Sequence, residues 1–331
     1  MEATTTAVVV ANVDSSALAG IAPELETARA FAGESKARRT REAYRYQAAT
    51  FATWCEARQL EALPAEPATL AAYLASRAEA GWKAASIGLA LTAIGQAHKA
   101  AGYVSPAAHP AVSATWTGIR RTLGTAQRRA APATVDAIRA MVGALPSLGE
   151  SPALGALRDR ALLVLGFAGA FRRSELVALV VADLAFRAEG LVVTVRRSKT
   201  DQEGAGAEVA IAFGANPATC PVGAVRAWLE AAGIAEGLVF RAVDRHGHVG
   251  EGLAGAEVGR IVKRAAKRAG LDASRFSGHS LRAGLATTAA KQGKADRSIM
   301  AQGRWSSRAM VDRYVREANL FRDNASAGIG L

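Results

Sequence analysis

Residues 183–213, DLAFRAEGLVVTVRRSKTDQEGAGAEVAIAF, contain the clearest strand signals in the chain. Short runs rich in Val, Leu, Ile and Phe occupy residues 183–186, 191–197 and 208–213. The turn-rich segment over residues 198–206 joins the last two runs and predicts a hairpin. We therefore predict a small antiparallel sheet in this part of the chain.

Helical patterns surround the predicted strands. An apolar helix is predicted over residues 157–170, and Thr134 is predicted to cap an earlier helix. After the strands, residues 256–269 predict a helix with a basic face. Strands attached to a helical body indicate an α+β domain, which we place at residues 133–331 together with a C-terminal tail.

The region before this domain has almost no strand signal. Apolar residues at helical spacing predict four helices joined by short connections. These helices are expected over residues 41–58 with Thr40 as the N-cap, 67–80, 85–101 and 112–123. We therefore predict an all-α domain over residues 34–123.

Charge and composition define the remaining segments. Residues 124–132, GTAQRRAAP, are basic and interrupted by Gly and Pro, so they are predicted to be an inter-domain linker. Residues 1–33 are acidic and have no clear hydrophobic period, which predicts a flexible leader. The net charge is −4 over residues 1–34, +7 over residues 35–150 and +9 over residues 151–331.

The overall charge points to a class of partner. The 331 residues include 41 Lys and Arg against 29 Asp and Glu, a formal charge of +12. Such a surplus is expected to bind a polyanion, most often nucleic acid. Charge alone does not distinguish DNA, RNA and an acidic membrane surface.

Several other classes of function lack their motifs. Cys55 and Cys220 lie far apart without metal-ligand spacing, so neither a disulfide framework nor a zinc site is expected. His246 and His248 are expected in a solvated turn, and no GxxxxGK[ST] loop occurs. The apolar stretch over residues 161–171 is too short to span a bilayer, and a signal-peptide pattern is missing. We therefore expect no metal, cofactor or membrane partner, and a reducing cytoplasmic setting close to the nucleoid.

Polar residues in the second domain have spacings that suit phosphate chemistry. Arg172 and Glu175, in AFRRSELVAL, are three apart and share one face of a helical turn. Lys199 lies in the predicted hairpin turn, and His279 and Arg282, in SGHSLRAG, again share a helical face. Each of these fragments is common by itself, because an RxxE pair is usually a surface ion pair and a turn Lys is usually solvated.

The order of these residues is more specific than any fragment. Trp305 and Tyr314 follow in GRWSSRAMVDRYV, nine positions apart. The ordered set Arg, Lys, HxxR, Trp and Tyr resembles the active site of the tyrosine recombinases, also called the phage integrase family. GRW, SKT and SGHS are most similar to the Cre branch, and the resemblance extends to the helical first domain, which contains the string PAEP at residues 64–67. The resemblance implies a SAM-like, helical core-binding domain followed by an α+β catalytic domain.

The resemblance also implies a role for each residue. Arg172 and Arg282 would hold the scissile phosphate, which two guanidiniums can neutralise as charge develops. Tyr314 would be the nucleophile, and His279 its acid/base partner, because a free phenol has a pKa near 10. Lys199 would be the general acid that protonates the departing 5′-oxygen.

Two further positions complete the implied site. Trp305 would donate its indole N–H to the phosphate and pack around it. Glu175 would hold Arg172 or His279 in place. Tyr314 is also the only tyrosine after Tyr103, although a tyrosine packed in a C-terminal helix is the simpler interpretation of that residue alone.

These roles imply a site-specific recombinase that works through a 3′-phosphotyrosine and a Holliday junction, without metal or ATP. Its partner would be double-stranded DNA with an inverted-repeat site, gripped by two basic domains. The residues predicted to contact DNA are Lys36, Arg38, Arg39, Arg41, Arg45, Lys83, Lys99, Arg120, Arg121, Arg128, Arg129, Lys263, Arg264 and Lys267. For each of them a solvated surface position is an equally good interpretation.

Assembly and two alternative functions remain open at this stage. Cre-like relatives pass a C-terminal helix to a neighbouring subunit, so residues 318–331 are expected to support a homotetramer on two sites, a dimer on each. One alternative is a type IB topoisomerase, which relaxes DNA with a similar set of residues. The other is a DNA-binding or architectural protein whose active site has decayed.

Overall fold

The computed structural model describes residues 20–126, 130–146, 153–196, 206–318, 324 and 326. The protein is rich in helix and has small antiparallel sheets, in agreement with the sequence. The chain folds as two compact units, residues 1–127 and 128–331. Within the described ranges, every helix is too short or too polar to cross a bilayer. The finer boundaries predicted above, and the SAM-like bundle, stay predictions.

The first unit consists of helices. They are α1 (Ala22–Glu34), α2 (Arg38–Glu56), α3 (Pro67–Glu79), α4 (Ala84–Ala100) and α5 (Pro110–Leu123). Helices α2 to α5 lie close to their predicted positions. Thr40 is not the N-cap of α2, however, because the helix continues back to Arg38 and Ala37 takes the capping position.

Residues predicted to belong to a flexible leader are partly helical. Helix α1 covers the last part of the predicted segment 1–33, and none of its residues is buried. Ala, Glu, Leu and Arg favour helix, and Pro23 suits the first turn, so local propensity explains the helix without tertiary packing. Helix α1 therefore occupies the last part of the predicted leader, whose flexibility stays a prediction, and residues 1–19 lie outside the described residues.

An aromatic cluster forms the centre of the first unit. The rings of Phe51 and Tyr73 pack edge to face at 4.9 Å, and the rings of Trp54 and Tyr73 at 5.3 Å. Buried His98 joins the loop before α3 to α4, because its Nε2 accepts a hydrogen bond from Ala65 N at 2.9 Å and its Nδ1 lies 2.8 Å from Ile94 O. These contacts bury the apolar faces of α2, α3 and α4 together.

The second unit has helices around two small sheets. Its helices are α6 (Val135–Gly143), α7 (Leu154–Ala168), α8 (Arg173–Ala178), α9 (Pro221–Ala231), α10 (Gly255–Arg268), α11 (Ser280–Lys291), α12 (Asp296–Gly303) and α13 (Arg308–Ala318). Its strands are β1 (Leu184–Phe186), β2 (Gly190–Val195), β3 (Ala207–Ala212), β4 (Arg241–Val243) and β5 (Val249–Gly252).

The first sheet has the order β1-β2-β3 and is antiparallel, as predicted. Leu191 pairs with Ile211, and Val193 pairs with Val209. These four side chains are buried and alternate with more exposed ones, so one face of the hairpin joins the core. This alternation fixes the register of β2 against β3, the two strands that the segment with Lys199 connects.

The hairpin β4–β5 was not expected from the sequence. Its strands have three and four residues, and β5 contains two glycines, so alternation cannot be recognised there. The expected turn lies between them: Asp244 Oδ1 accepts hydrogen bonds from His246 N at 2.7 Å and His248 N at 2.9 Å. Within the described part of the chain, no group of three or more His, Cys, Asp and Glu side chains could hold a metal.

Helix α7 runs through the core of the second unit. It also buries an ion pair, because Arg158 Nη2 lies 2.7 Å from Asp159 Oδ1, and Arg264 on α10 reaches Asp159 Oδ2 at 3.2 Å. Its last turn packs against α11, since Gly166 leaves room for Leu281. The chain then turns sharply at Ala170, whose φ is 46°, and begins α8.

Candidate active site

Arg172 and Glu175 lie at the start of α8. The turn at Ala170 separates α8 from the apolar helix α7, so the pair begins a new helix and does not continue α7. Glu175 Oε2 accepts a hydrogen bond from Arg172 N at 2.9 Å, and its Oε1 accepts one from Arg172 Nη1 at 2.6 Å. The carboxylate is buried and the guanidinium is largely so. Of the two residues that Glu175 was predicted to hold, Arg172 is the one it contacts here.

His279 and Arg282 lie on the first turn of α11. Arg282 is 2% exposed, and its Nη1 donates a hydrogen bond to Ala170 O at 2.7 Å. Its guanidinium lies 4.1 Å from the centroid of the Trp305 ring, close enough for a cation–π contact. Its Nη2 is buried and has no hydrogen-bond partner among the described residues. A buried charged donor without a partner is costly, which indicates a place for an anion.

Trp305 and Tyr314 belong to a small apolar cluster formed by α11, α12 and α13. Their ring centroids are 6.0 Å apart, and both side chains are buried. Tyr314 Oη lies 3.0 Å from His279 Nε2. The geometry is compatible with both interpretations of Tyr314, because its ring packs in the cluster while its hydroxyl lies within hydrogen-bond distance of His279.

Burial and the nearby charges favour the neutral form of His279 by lowering its pKa. Burial lowers its pKa below the ordinary value of 6.5, and three guanidiniums, those of Arg313, Arg282 and Arg172, lower it further. A neutral imidazole can accept a proton from the tyrosine hydroxyl at pH 7. Burial also lowers the pKa of Arg282, with Arg172 adding to the effect, to about 9, so this guanidinium stays charged at neutral pH.

Two arginines of the site were not predicted from the sequence. Arg304 Nη2 lies 2.8 Å from Glu175 Oε2, so the carboxylate lies between two guanidiniums. Burial raises the pKa of Glu175, but the charge of Arg304 and hydrogen bonds from Arg172 outweigh it, and the pKa lies below its ordinary value. Arg313 donates a hydrogen bond to Tyr314 Oη, and its guanidinium lies 4.5 Å from the centroid of that ring. Both residues flank quoted motif positions, and this adjacency is the signal that could have found them.

Lys199 lies outside the described residues, so its position is not part of this geometry. The strands that lead to it are described, and Val195 pairs with Ala207 at the end of the ladder. Next to that pair, Arg196 Nε binds the buried carboxylate of Asp183 at 2.6 Å. This ion pair fixes the base of the hairpin to the body of the second unit.

The residues predicted to contact DNA are found on both units. Arg41 is half-buried and the other described members are exposed, whereas Arg128 and Arg129 lie outside the described residues. Several have intramolecular partners: Lys36 binds Gln96, Arg41 binds Glu34, and Arg264 binds buried Asp159. Lys83 and Lys99 lie at the two ends of α4. Exposure is compatible with binding DNA but does not distinguish contact residues from solvated ones.

Comparison with known proteins decides the family. The sequence model described as "Phage integrase family" matches residues 134–320, more than half of the chain. The chain belongs to the phage integrase family of tyrosine recombinases. The resemblance predicted from the sequence is thereby confirmed, and so is the class of enzyme.

Two curated relatives support this assignment. An integrase/recombinase XerD homolog from Selenomonas ruminantium is 39% identical over 296 residues, covering 88% of this chain and 85% of the relative. The Cre recombinase of Escherichia phage P1 is 25% identical over 290 residues, covering 81% and 80% of the two chains. The Cre-like motifs therefore occur in an integrase that is more similar in sequence to the XerD homolog than to Cre.

Solved structures agree with the fold of this integrase. A lambda integrase dimer bound to a COC′ core site has a TM-score of 0.56 at 20% identity, covering 87% of this chain and 92% of that one. A XerH recombinase bound to a palindromic difH substrate has a TM-score of 0.57 at 15% identity, covering 77% and 70%. At these identities the likeness concerns the fold alone.

Proposed function

We propose that this integrase is a site-specific DNA recombinase whose nucleophile is Tyr314. The observation that carries the proposal is the meeting of three groups: His279 Nε2 lies 3.0 Å from Tyr314 Oη, and buried Arg282 has an N–H without a partner among the described residues. A proton acceptor, a hydroxyl and an unpaired guanidinium donor at one site are what phosphoryl transfer to a tyrosine requires.

The first step transfers a DNA strand to the protein. Tyr314 Oη forms a bond to the scissile phosphorus while its proton passes to His279. The bond from phosphorus to the 5′-oxygen breaks, and Lys199 supplies the proton that makes this oxygen a better leaving group. The products are a 3′-phosphotyrosine and a free 5′-hydroxyl.

The second step rejoins a strand. A 5′-hydroxyl from the partner duplex gives its proton to Lys199 and attacks the phosphotyrosine, which restores a phosphodiester. The bond from phosphorus to Tyr314 Oη breaks, and Tyr314 takes back the proton that His279 held. The phosphotyrosine retains the bond energy, so the exchange needs neither ATP nor a metal ion. Two successive exchanges pass through a Holliday junction.

The remaining residues hold the phosphate and the duplex. Arg172 and Arg282 are proposed to bind the non-bridging oxygens, with Trp305 packed against Arg282 and donating its indole N–H. Exposed cations on both compact units are proposed to grip double-stranded DNA that contains an inverted-repeat site. Four protomers on two sites would form the complete assembly.

The covalent intermediate provides the test. The protein is incubated with nicked duplexes taken from DNA that flanks its gene, and a protein–DNA adduct is sought. We expect the adduct with the natural chain and with Tyr103→Phe, an exposed tyrosine of the first unit that serves as the control. We expect none with Tyr314→Phe, because that substitution removes only the hydroxyl.

Other results would favour the alternatives. An adduct that persists in Tyr314→Phe contradicts the assignment of the nucleophile. Binding without any adduct in the natural chain favours an architectural protein. Relaxation of a supercoiled plasmid that lacks a recombination site favours a topoisomerase.

A further inference from the structure

Arg304 has a backbone conformation that arginine rarely adopts. It caps the C-terminus of α12 with φ 55° and ψ 48°, in the left-handed region. Glycine adopts this region without the steric conflict that a Cβ causes, and it is the usual residue at such a position. Strained backbone of this kind persists where the surrounding contacts determine it, often at functional sites.

Most contacts of the Arg304 side chain are with residues close to Arg172. Its Nη1 donates to Gly169 O at 3.2 Å and to Gln302 O at 3.1 Å, and its Nη2 lies 2.8 Å from Glu175 Oε2. Its guanidinium also lies 5.0 Å from the centroid of the Phe171 ring. Three of these four partners belong to the turn and first helical residues on either side of Arg172.

The neighbouring Gln302 holds the same turn from a second point. Its Nε2 donates to Ala168 O at 2.9 Å and to Ala210 O on β3 at 3.1 Å. The end of α12 is therefore hydrogen-bonded both to the last residue of α7 and to strand β3, which follows the segment that contains Lys199. Of these two residues, Arg304 is the one that also binds Glu175, whose carboxylate in turn binds Arg172.

We propose that Arg304 is a positioning residue for strand cleavage, which holds Glu175 so that this carboxylate orients the Arg172 guanidinium toward the scissile phosphate. This inference rests on the proposed function. Glu175 accepts hydrogen bonds from both the backbone and the side chain of Arg172, so a shift of the carboxylate would move both. The Arg304 guanidinium binds Oε2, whereas the Arg172 guanidinium binds Oε1, so the carboxylate stays ionised and in one orientation.

The backbone conformation makes a sharp variant available. Arg304→Gly removes the guanidinium and leaves a residue that prefers the observed φ and ψ, so the turn itself is not strained by the change. Arg304→Lys restores a positive charge without the two-pronged contact. Arg297→Ala, an exposed arginine on the same helix, is the matched control.

The first measurement is the rate of adduct formation at saturating protein, as a function of pH. We expect Arg304→Gly to bind a single DNA site normally but to form the adduct roughly 10- to 100-fold more slowly, the loss typical of a misplaced reacting group. Loss of the Arg304 charge also raises the pKa of Glu175. As the pH is lowered, Glu175 in Arg304→Gly should therefore become protonated, and the rate of adduct formation should fall, at a higher pH than in the natural chain. Arg304→Lys should recover much of the pH profile, and Arg297→Ala should match the natural chain.

The second measurement does not depend on cleavage. In protein labelled with ¹⁵N-arginine and carrying Tyr314→Phe, rotation of the Arg172 guanidinium is expected to be slow and to become fast when Arg304→Gly is added. An unchanged adduct rate, or a slower rate with neither a shifted pH profile nor faster rotation, would overturn the inference. A natural chain that forms no adduct would contradict the proposed function instead, and guanidinium rotation would still decide whether Arg304 holds the Glu175–Arg172 pair.

Discussion

Positive charge exceeds negative charge at the scale of single residues in this site. Arg172 and Arg304 both bind Glu175, and Arg282 lies near enough for the same carboxylate to affect its pKa. One carboxylate cannot neutralise three guanidiniums. The surplus suits an anion such as a phosphate, because Arg282 Nη2 is buried and has no hydrogen-bond partner in the described part of the chain.

Arg313 should tune the pH at which cleavage begins. Burial and three arginines lower the pKa of His279, and Arg313 contributes the largest of the three charge effects. His279 accepts a proton only when neutral, so cleavage falls as the pH drops through this lowered pKa. Arg313→Gln removes one cation, the pKa rises, and the acid limb of adduct formation should move to higher pH.

The control for this change lies on the same helix. Arg316 is exposed, and its Nη2 lies 4.0 Å from Asp312 Oδ2. Arg316→Gln should leave the acid limb where it is in the natural chain. Identical midpoints for Arg313→Gln and Arg316→Gln would contradict the proposed role of His279 as proton acceptor.

At the scale of elements, α11 presents two of the proposed catalytic groups and is packed closely against the start of the second unit. Ala133 N donates a hydrogen bond to Ser280 O at 2.9 Å, and Val135 N donates one to Thr288 Oγ1 at 3.3 Å. Gly284 lies between these contacts. A Cβ at Gly284 would lie 1.9 Å from Ala133 O, so only glycine permits this approach.

Gly284→Ala should therefore both destabilise the protein and slow cleavage. The methyl group would force α11 away from backbone that cannot yield, and overpacking of this kind costs about 1 to 3 kcal/mol of unfolding free energy. Urea unfolding measures the first effect and adduct formation the second, because His279 and Arg282 move with the helix. Gly155→Ala on α7 has open space around the added methyl, so it should be neutral or stabilising.

Elements with long periodic patterns were predictable, and those held by tertiary contacts were not. Helices α2 to α5 and strands β2 and β3 have enough apolar positions to reveal their period. The hairpin β4–β5 is too short to show alternation, and the turn at Ala170 depends on packing around Phe171 and Arg282. At the site, the ordered motif identified Arg172, His279, Arg282, Trp305 and Tyr314, which the structure brings together. Arg304 reaches Glu175, and Arg313 comes near His279, only through tertiary packing.

At the scale of the whole molecule, the charge of +12 is shared by two compact units. Exposed cations at the start of α2, at the ends of α4 and α5 and along α10 are available for the DNA backbone. Each phosphate neutralised releases counterions, so affinity that depends on both units should fall steeply with salt. The proposed chemistry, in contrast, depends on buried charges of the second unit, such as Arg282 and the Arg172–Glu175 pair.

Assembly should depend on the residues after α13. Ala318 packs on the apolar cluster that holds Trp305 and Tyr314, so a truncation that removes residues 319–331 keeps this contact. If this tail joins neighbouring protomers, the truncated chain should bind a single DNA site and form the adduct as before. Recombination between two sites should fall roughly 10- to 100-fold, because a contact that adds avidity to the assembly is lost.

Mixing two defective chains separates loss of assembly from damage to the site. Full-length Tyr314→Phe has the tail but no nucleophile, and the truncated chain has the nucleophile but no tail. Mixed assemblies on two sites should exchange one pair of strands and accumulate Holliday junctions, although neither chain does so alone. Normal recombination by the truncated chain would show that protomers meet through another surface, and loss of adduct formation would show that the tail supports Tyr314 itself.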